Sequence, residues 1–294
     1  MHPVLIHVNL NWLHAGWEFN IHTYGLMIAL GFLVGMQLAA REARRVDISS
    51  KGNYDQFVLD LTFWILIASL AGSRILFIMV EWNNGYAQDP LKIFRIWEGG
   101  LVFYGGLLGA IIFSVYYARK KGWSFLFVAD TLIPSVSLGQ FFGRIGCFAA
   151  GCCWGDPVDP DFPLGVRFPA GSLIHSSEVN HHVIDHDAPF TILVHPVQLY
   201  ESLGNLTLFL LLLLIRTQKR FHGMVLAGYL FLYPFLRYGM ETLRGDVARG
   251  EDVLGTPFST SQLISIVLFS IGVAIVIYGR TKGKNTSQRI APAA

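Results

Sequence analysis

The chain has 294 residues, of which 53% are hydrophobic and 14% charged, with a mean hydropathy of +0.47 and a formal net charge of +2. Globular domains carry about 25% charged residues, so this balance excludes a water-soluble protein of ordinary composition and predicts an integral membrane protein. The small net charge carries no sign of a nucleic-acid partner, and none is expected.

In chain order, residues 1–21 mix Trp12, Trp17 and Phe19 with His and Asn, a composition that predicts an interfacial segment whose rings sit at the headgroup level. No Lys or Arg precedes Arg41, so the basic n-region of a cleaved signal peptide is missing and the segment is expected to be retained. Seven apolar runs follow, at 22–40, 54–80, 101–118, 125–143, 196–215, 222–241 and 258–279. A hydrocarbon core about 30 Å thick takes about 20 helical residues to cross. The runs are continuously apolar without alternation, which predicts helices and excludes a β-barrel. The fourth run carries Asp130, Pro134, Ser135, Ser137 and Gln140, polar groups expected to face protein or a wet cavity. The connection 155–194, rich in Asp, Pro and His, is too long for a simple loop and predicts a small extracytoplasmic cap. Residues 282–294 read as a polar tail.

Lys and Arg fix the expected orientation. Arg41, Arg44, Arg45 and Lys51 follow the first run; Arg119, Lys120 and Lys121 the third; Arg216, Lys219 and Arg220 the fifth; Arg280, Lys282, Lys284 and Arg289 the seventh. The alternate connections hold only Lys92, Arg95, Arg144, Arg167, Arg244 and Arg249 over far more chain. Since short cytoplasmic loops collect basic residues, the reading is an all-α protein of seven transmembrane helices, N-terminus outside and C-terminus cytoplasmic, with a catalytic membrane domain over 22–281.

This topology sends the polar residues of six runs toward the outer leaflet: Tyr24, Arg74, Tyr104, then Gln140 and Arg144, then Gln198, Tyr200 and Glu201, and finally Tyr233, Arg237, Glu241 and Arg244. The last four are spaced four, four and three, so they share one helical face. Arg237 and Glu241 alone would pass as a neutralising pair within a bundle. The whole set is cationic, however, with four arginines against two glutamates, and charges at such depth mark functional sites. The anion available there is a phospholipid phosphate, which a guanidinium fork fits well. Gly99, Gly100, Gly105, Gly106 and Gly109 around Tyr104 permit close helix approach.

At Gly143-Arg144-Ile145-Gly146-Cys147-Phe148-Ala149-Ala150-Gly151-Cys152-Cys153-Trp154-Gly155 the chain resembles the signature of the prolipoprotein diacylglyceryl transferase family, G-R-x-G-N-F-x-N-x-E-x-x-G. Gly143, Arg144, Gly146, Phe148 and Gly155 agree; Cys147, Ala150 and Cys152 stand where the pattern has Asn, Asn and Glu. Tyr24-Gly25-Leu26-Met27, Phe103 to Leu107, His195-Pro196-Val197-Gln198-Leu199-Tyr200-Glu201 and Arg237-x-x-x-Glu241-x-x-Arg244 resemble further family segments in the same order. The resemblance implies a bacterial inner-membrane enzyme with its active site on the periplasmic side. Such an enzyme moves the diacylglyceryl group of phosphatidylglycerol to the lipobox cysteine of a prolipoprotein, making a thioether and releasing glycerol 1-phosphate. Its expected partners are phosphatidylglycerol, lipobox peptides and the bilayer.

Thiol attack on a glycerol carbon needs a stabilised phosphate leaving group, which preorganised cations supply. Arg144 and Arg237 are the expected catalytic pair, with Tyr104 and Glu201 beside them. Tyr24, Arg74, Gln198, Tyr200, Tyr233, Glu241, Arg244, Gly143 and Gly146 are expected to bind the lipid or the thiol. Many family members carry His where Tyr104 stands; tyrosine titrates near 10, so hydrogen bonding to headgroup or thiol is the first expectation for it and proton abstraction the second. His22 and His195 are further candidates for the base. Cys147, Cys152 and Cys153 could form one disulfide with a thiol left over or contribute to a metal site with His175, His181, His182 or His186, but they lack the spacing of a strong metal motif, and neither metal nor cofactor is expected. A transporter with an outer-leaflet anion site, or another phospholipid-headgroup transferase, would share the arginines.

Overall fold

The computed structural model describes residues 4–9, 18–47, 53–82, 86, 89, 93, 95, 99–245 and 260–286. Trp12, Trp17, Lys51, Lys92, Arg249 and the tail beyond 286 lie outside the described residues. Eight helices dominate these residues: α1 (Thr23–Val46), α2 (Tyr54–Val80), α3 (Phe103–Lys120), α4 (Phe125–Ala150), the short α5 (Leu173–Asn180), α6 (Val197–Thr217), α7 (Met224–Glu241) and α8 (Thr260–Thr286). Five are long and apolar enough to cross a membrane: α1, α2, α4, α6 and the stretch Ser261–Thr281 of α8. The apolar side chains on their outward surfaces, such as Phe63, Ile75, Met79, Leu203 and Leu214, are exposed, as expected of helices solvated by lipid. The chain is therefore an integral membrane protein built on helices.

Two features depart from the all-helical expectation. The N-terminal segment contains two strands, β1 (Val4–Asn9) and β2 (Glu18–His22), paired antiparallel with a bulge between Val4 and Ile6. Backbone pairing satisfies their polar groups where a single interfacial helix would have used i→i−4 bonds. The fourth run also continues past residue 143: α4 stays helical to Ala150, so the signature from Gly143 to Ala150 lies on a helix, not in a loop.

The chain divides into two compact units, Met1–Gly35 with Leu132–Ala294, and Met36–Thr131. In the second unit α2 and α3 pack through glycine. A side chain on Gly105 would strike the carbonyl oxygen of Gly72, and one on Gly109 that of Ala68, so these backbones approach as only glycine allows. At the other end of this unit Tyr54, fully buried, shares a 2.9 Å hydrogen bond with Thr131 and sits among Trp123, Phe127 and Phe57.

In the first unit α6 and α7 join through Leu208, Leu212, Val225, Tyr229 and Leu230. Polar contacts tie α4 to α6, where Ser137 Oγ donates to the Asn205 carbonyl at 2.9 Å and Ser202 Oγ to the Phe141 carbonyl at 3.1 Å. Residues 155–194 hold a core of their own: Phe168, Ile174 and Val194 are buried against Phe148, Trp154, Val166 and Ile192. Short backbone bridges close this segment, Pro157 and Val166 each pairing with Val194, and Pro169 with Phe190. Ser172 caps α5 by accepting from the His175 amide, and Glu178 accepts from the Ile192 amide at 3.1 Å. Burial holds the Glu178 carboxyl above its ordinary value, against the opposing pull of that amide and of His175.

Candidate active site

Within the first unit, the C-terminal halves of α4 and α7 and the N-terminal turns of α6 and α8 meet around one carboxylate. Glu201, in the first turns of α6, has a side chain only 4% exposed. Its Oε2 lies 2.5 Å from Arg144 Nε of α4, and its Oε1 2.7 Å from Arg237 Nη1 of α7. Arg244 Nη1, just past the end of α7, lies 3.9 Å from the same Oε1. Arg237 extends the network: its Nη2 donates to Glu241 Oε2 at 2.7 Å and to Ser261 Oγ of α8 at 3.0 Å. Helical periodicity places Arg237 and Glu241 one turn apart, and the short hydroxyl of Ser261 fits where α8 passes.

Among the described residues, three guanidinium groups thus meet two carboxylates, an excess of one positive charge. Arg244 and Arg237 are 2% and 12% exposed, but Arg144 is 23% exposed. Only its Nε is engaged; no described residue hydrogen-bonds to its two terminal nitrogens. A partly buried cationic cluster with an open, bidentate edge is built to accept a phosphate or carboxylate.

The surroundings hold this cluster in place. Arg244 pairs in an isolated antiparallel bridge with Gly155, and the Asp156 amide donates to the Leu243 carbonyl at 3.0 Å. A side chain on Gly155 would collide with His195, Val197 and the Leu243 carbonyl, which explains glycine at the end of the signature. Gln198 is fully buried and donates from Nε2 to the Cys152 carbonyl at 2.7 Å, fastening the turn after α4. Tyr229, whose hydroxyl donates to Gln140 Oε1 at 3.1 Å, stacks on Tyr233 with ring centroids 5.1 Å apart. The Tyr200 hydroxyl and His195 Nδ1 are buried without a hydrogen-bond partner among the described residues.

A side chain on Gly146 would touch Tyr24 and Met27, and one on Gly143 would touch Ile28, so both glycines let α1 lie close on α4. Tyr24 is half-exposed at the head of α1. Arg74, placed among the lipid ligands, belongs to the second unit, where it is buried. Its nitrogens donate to the carbonyls of Gly99 at 2.6 Å, Gly100 at 3.3 Å, Ile93 at 3.2 Å and Arg95 at 3.1 Å. Those bonds make it a clamp on the α2–α3 connection. Tyr104 stands in the first turn of α3, also in the second unit, and is exposed. Ser261 was not anticipated, because a single Ser opening an apolar run has no signal of its own.

The three cysteines, close in sequence, also meet in space: their Sγ atoms lie within 4.8 Å of one another.

Comparison with known proteins places this geometry in a family. The family model described as prolipoprotein diacylglyceryl transferase matches residues 12–278. A phosphatidylglycerol–prolipoprotein diacylglyceryl transferase of Bacillus cereus is 35% identical over 266 residues, 90% of each chain. That of Lysinibacillus sphaericus is 31% identical over 284 residues, 97% of each chain, and the second such enzyme of Clostridium perfringens is 31% identical over 264 residues, 90% of this chain and 93% of that one. With a match that runs through every described helix and nearly the full length of these relatives, the chain belongs to the prolipoprotein diacylglyceryl transferase family.

Proposed function

We propose that the protein transfers the diacylglyceryl group of phosphatidylglycerol to the thiol of a prolipoprotein's lipobox cysteine, the first step of lipoprotein maturation. Family membership supports the reaction, and the open terminal edge of Arg144 in a cluster of net positive charge supports the site. In this reading Arg144 receives the phosphate of phosphatidylglycerol. The thiolate sulfur attacks the glycerol carbon of the diacylglyceryl group, a carbon–sulfur bond forms, and the carbon–oxygen bond to phosphate breaks. The phosphate oxygen keeps the electron pair and leaves as glycerol 1-phosphate.

Charge grows on that oxygen in the transition state, where fixed guanidinium groups in a site of low dielectric do most to lower the barrier. Arg237 and Arg244 supply this field, while Glu201 and Glu241 fix their positions. Gln198, Tyr200 and Tyr233 are assigned to the same substrate site. Tyr104 is assigned to the headgroup or the incoming thiol. Around this site the chain is proposed to cross the inner membrane seven times, N-terminus outside, with residues 155–194 as a cap on the periplasmic face.

The test incubates purified protein in detergent with phosphatidylglycerol and a lipobox peptide, and weighs the peptide by mass spectrometry beside a Cys→Ser peptide. A diacylglyceryl mass gain that requires the thiol is the expected result. No gain with folded, lipid-loaded protein overturns the assignment and leaves another phospholipid-headgroup transferase or a transporter. Tyr104→Phe sorts the roles: a large rate loss relieved at higher pH makes its hydroxyl the base.

A further inference from the structure

The cysteine cluster carries chemistry that the transfer reaction does not use. Cys147 lies in the last turn of α4, and the chain then reverses through two left-handed residues, Gly151 at φ +69° and Cys153 at φ +58°. A left-handed conformation is ordinary for glycine and costly for cysteine, which points from the strained residue toward a function. The reversal is held by Cys152 N donating to the Cys147 carbonyl at 3.1 Å and by Gln198 on the Cys152 carbonyl at 2.7 Å. It brings three thiols, each half-buried, within 4.8 Å of one another.

Sulfurs arranged trigonally around a metal at a bond length of about 2.3 Å stand about 4 Å apart, so this cluster closes on a cation with only slight contraction. Soft thiolate donors select soft cations over magnesium or calcium. We propose that Cys147, Cys152 and Cys153 form a three-thiolate site for one soft divalent cation of the zinc and cadmium class. On binding, three S–H bonds break, three sulfur–metal bonds form and three protons pass to solvent. The complex carries one negative charge. The site does not depend on the substrate assigned above.

The experiment takes the full-length protein in detergent, reduced with a phosphine and stripped of metal, and titrates it with cadmium. The expected result is a thiolate-to-cadmium charge-transfer absorption that saturates at one ion per chain, together with protection of all three thiols from alkylation, counted by intact mass. Cys147→Ser, Cys152→Ser and Cys153→Ser are each expected to weaken binding at least tenfold. The protection assay needs no variant, so it decides even where a substitution fails to fold. An absent charge-transfer band, unprotected thiols, binding that survives the substitutions, or a disulfide that persists under reduction overturns the site.

Discussion

Glu201 is the residue on which the cationic cluster depends. Three arginines around one small space repel each other, and Glu201 offsets them from a position 4% exposed while also accepting a hydrogen bond from Arg237. Breaking a buried pair by removing one partner costs about 3–5 kcal/mol, because the other charge stays desolvated. Glu201→Gln is therefore expected to lower the thermal unfolding temperature markedly. Arg144→Ala removes a side chain 23% exposed and should fold with little loss, yet slow transfer by about 100-fold, the usual penalty for deleting one donor to a developing oxyanion. Unfolding curves beside initial rates by mass spectrometry check both. An Arg144→Ala protein that is inactive because it is unfolded, or a Glu201→Gln protein as stable as the parent, contradicts this division.

Among the elements, α2 and α3 meet backbone to backbone, and the close approach rests on Gly72, Gly105 and Gly109. Overpacking a tight interface costs about 1–3 kcal/mol, so Gly105→Leu should destabilise the protein by that amount or more. Gly139→Ala is the matched control: its added methyl meets nothing within 4 Å. Equal stability of the two variants in a detergent-melt assay would refute the close-packed crossing. The segment around α5 makes a second prediction. Its Glu178 carboxyl is raised by burial, so the folded segment favours the protonated form. That contribution is full below the ordinary value of 4.5 and is lost as pH rises through the higher folded value. Hydrogen exchange across residues 173–192 should therefore quicken with rising pH beyond the intrinsic rate change, and Glu178→Gln should remove the excess.

For the whole molecule, the pattern of Lys and Arg predicts sidedness. A fluorescent protein fused after residue 281 is expected to fold and emit, since it fluoresces on the cytoplasmic side. A cell-impermeant label placed between 156 and 190 is expected to react in intact spheroplasts. The opposite pair of results would invert the orientation and remove the outer-leaflet substrate from reach of the cluster.

Composition and periodicity alone determined that this is a helical membrane protein and that its polar residues collect near helix ends, while the motifs around Arg144, Glu201 and Arg237 carried the family resemblance. These properties are local: twenty apolar residues make a span wherever they fall, and Arg237 and Glu241 share a face because of the helical repeat. Tertiary structure decided what those residues touch. Arg74 and Arg144 look alike in sequence, both polar at the edge of an apolar run. The fold bonds one to loop carbonyls and leaves the other with a free edge beside Glu201. Gly143 and Gly146 are legible from their place in the signature, whereas their packing against α1 follows from the side of α4 on which α1 lies. Ser261 was hidden, and residue spacing left open whether Cys147, Cys152 and Cys153 meet. Contacts between α7 and α8, or across a left-handed turn, depend on packing and chain reversal, which residue types at fixed spacing do not specify.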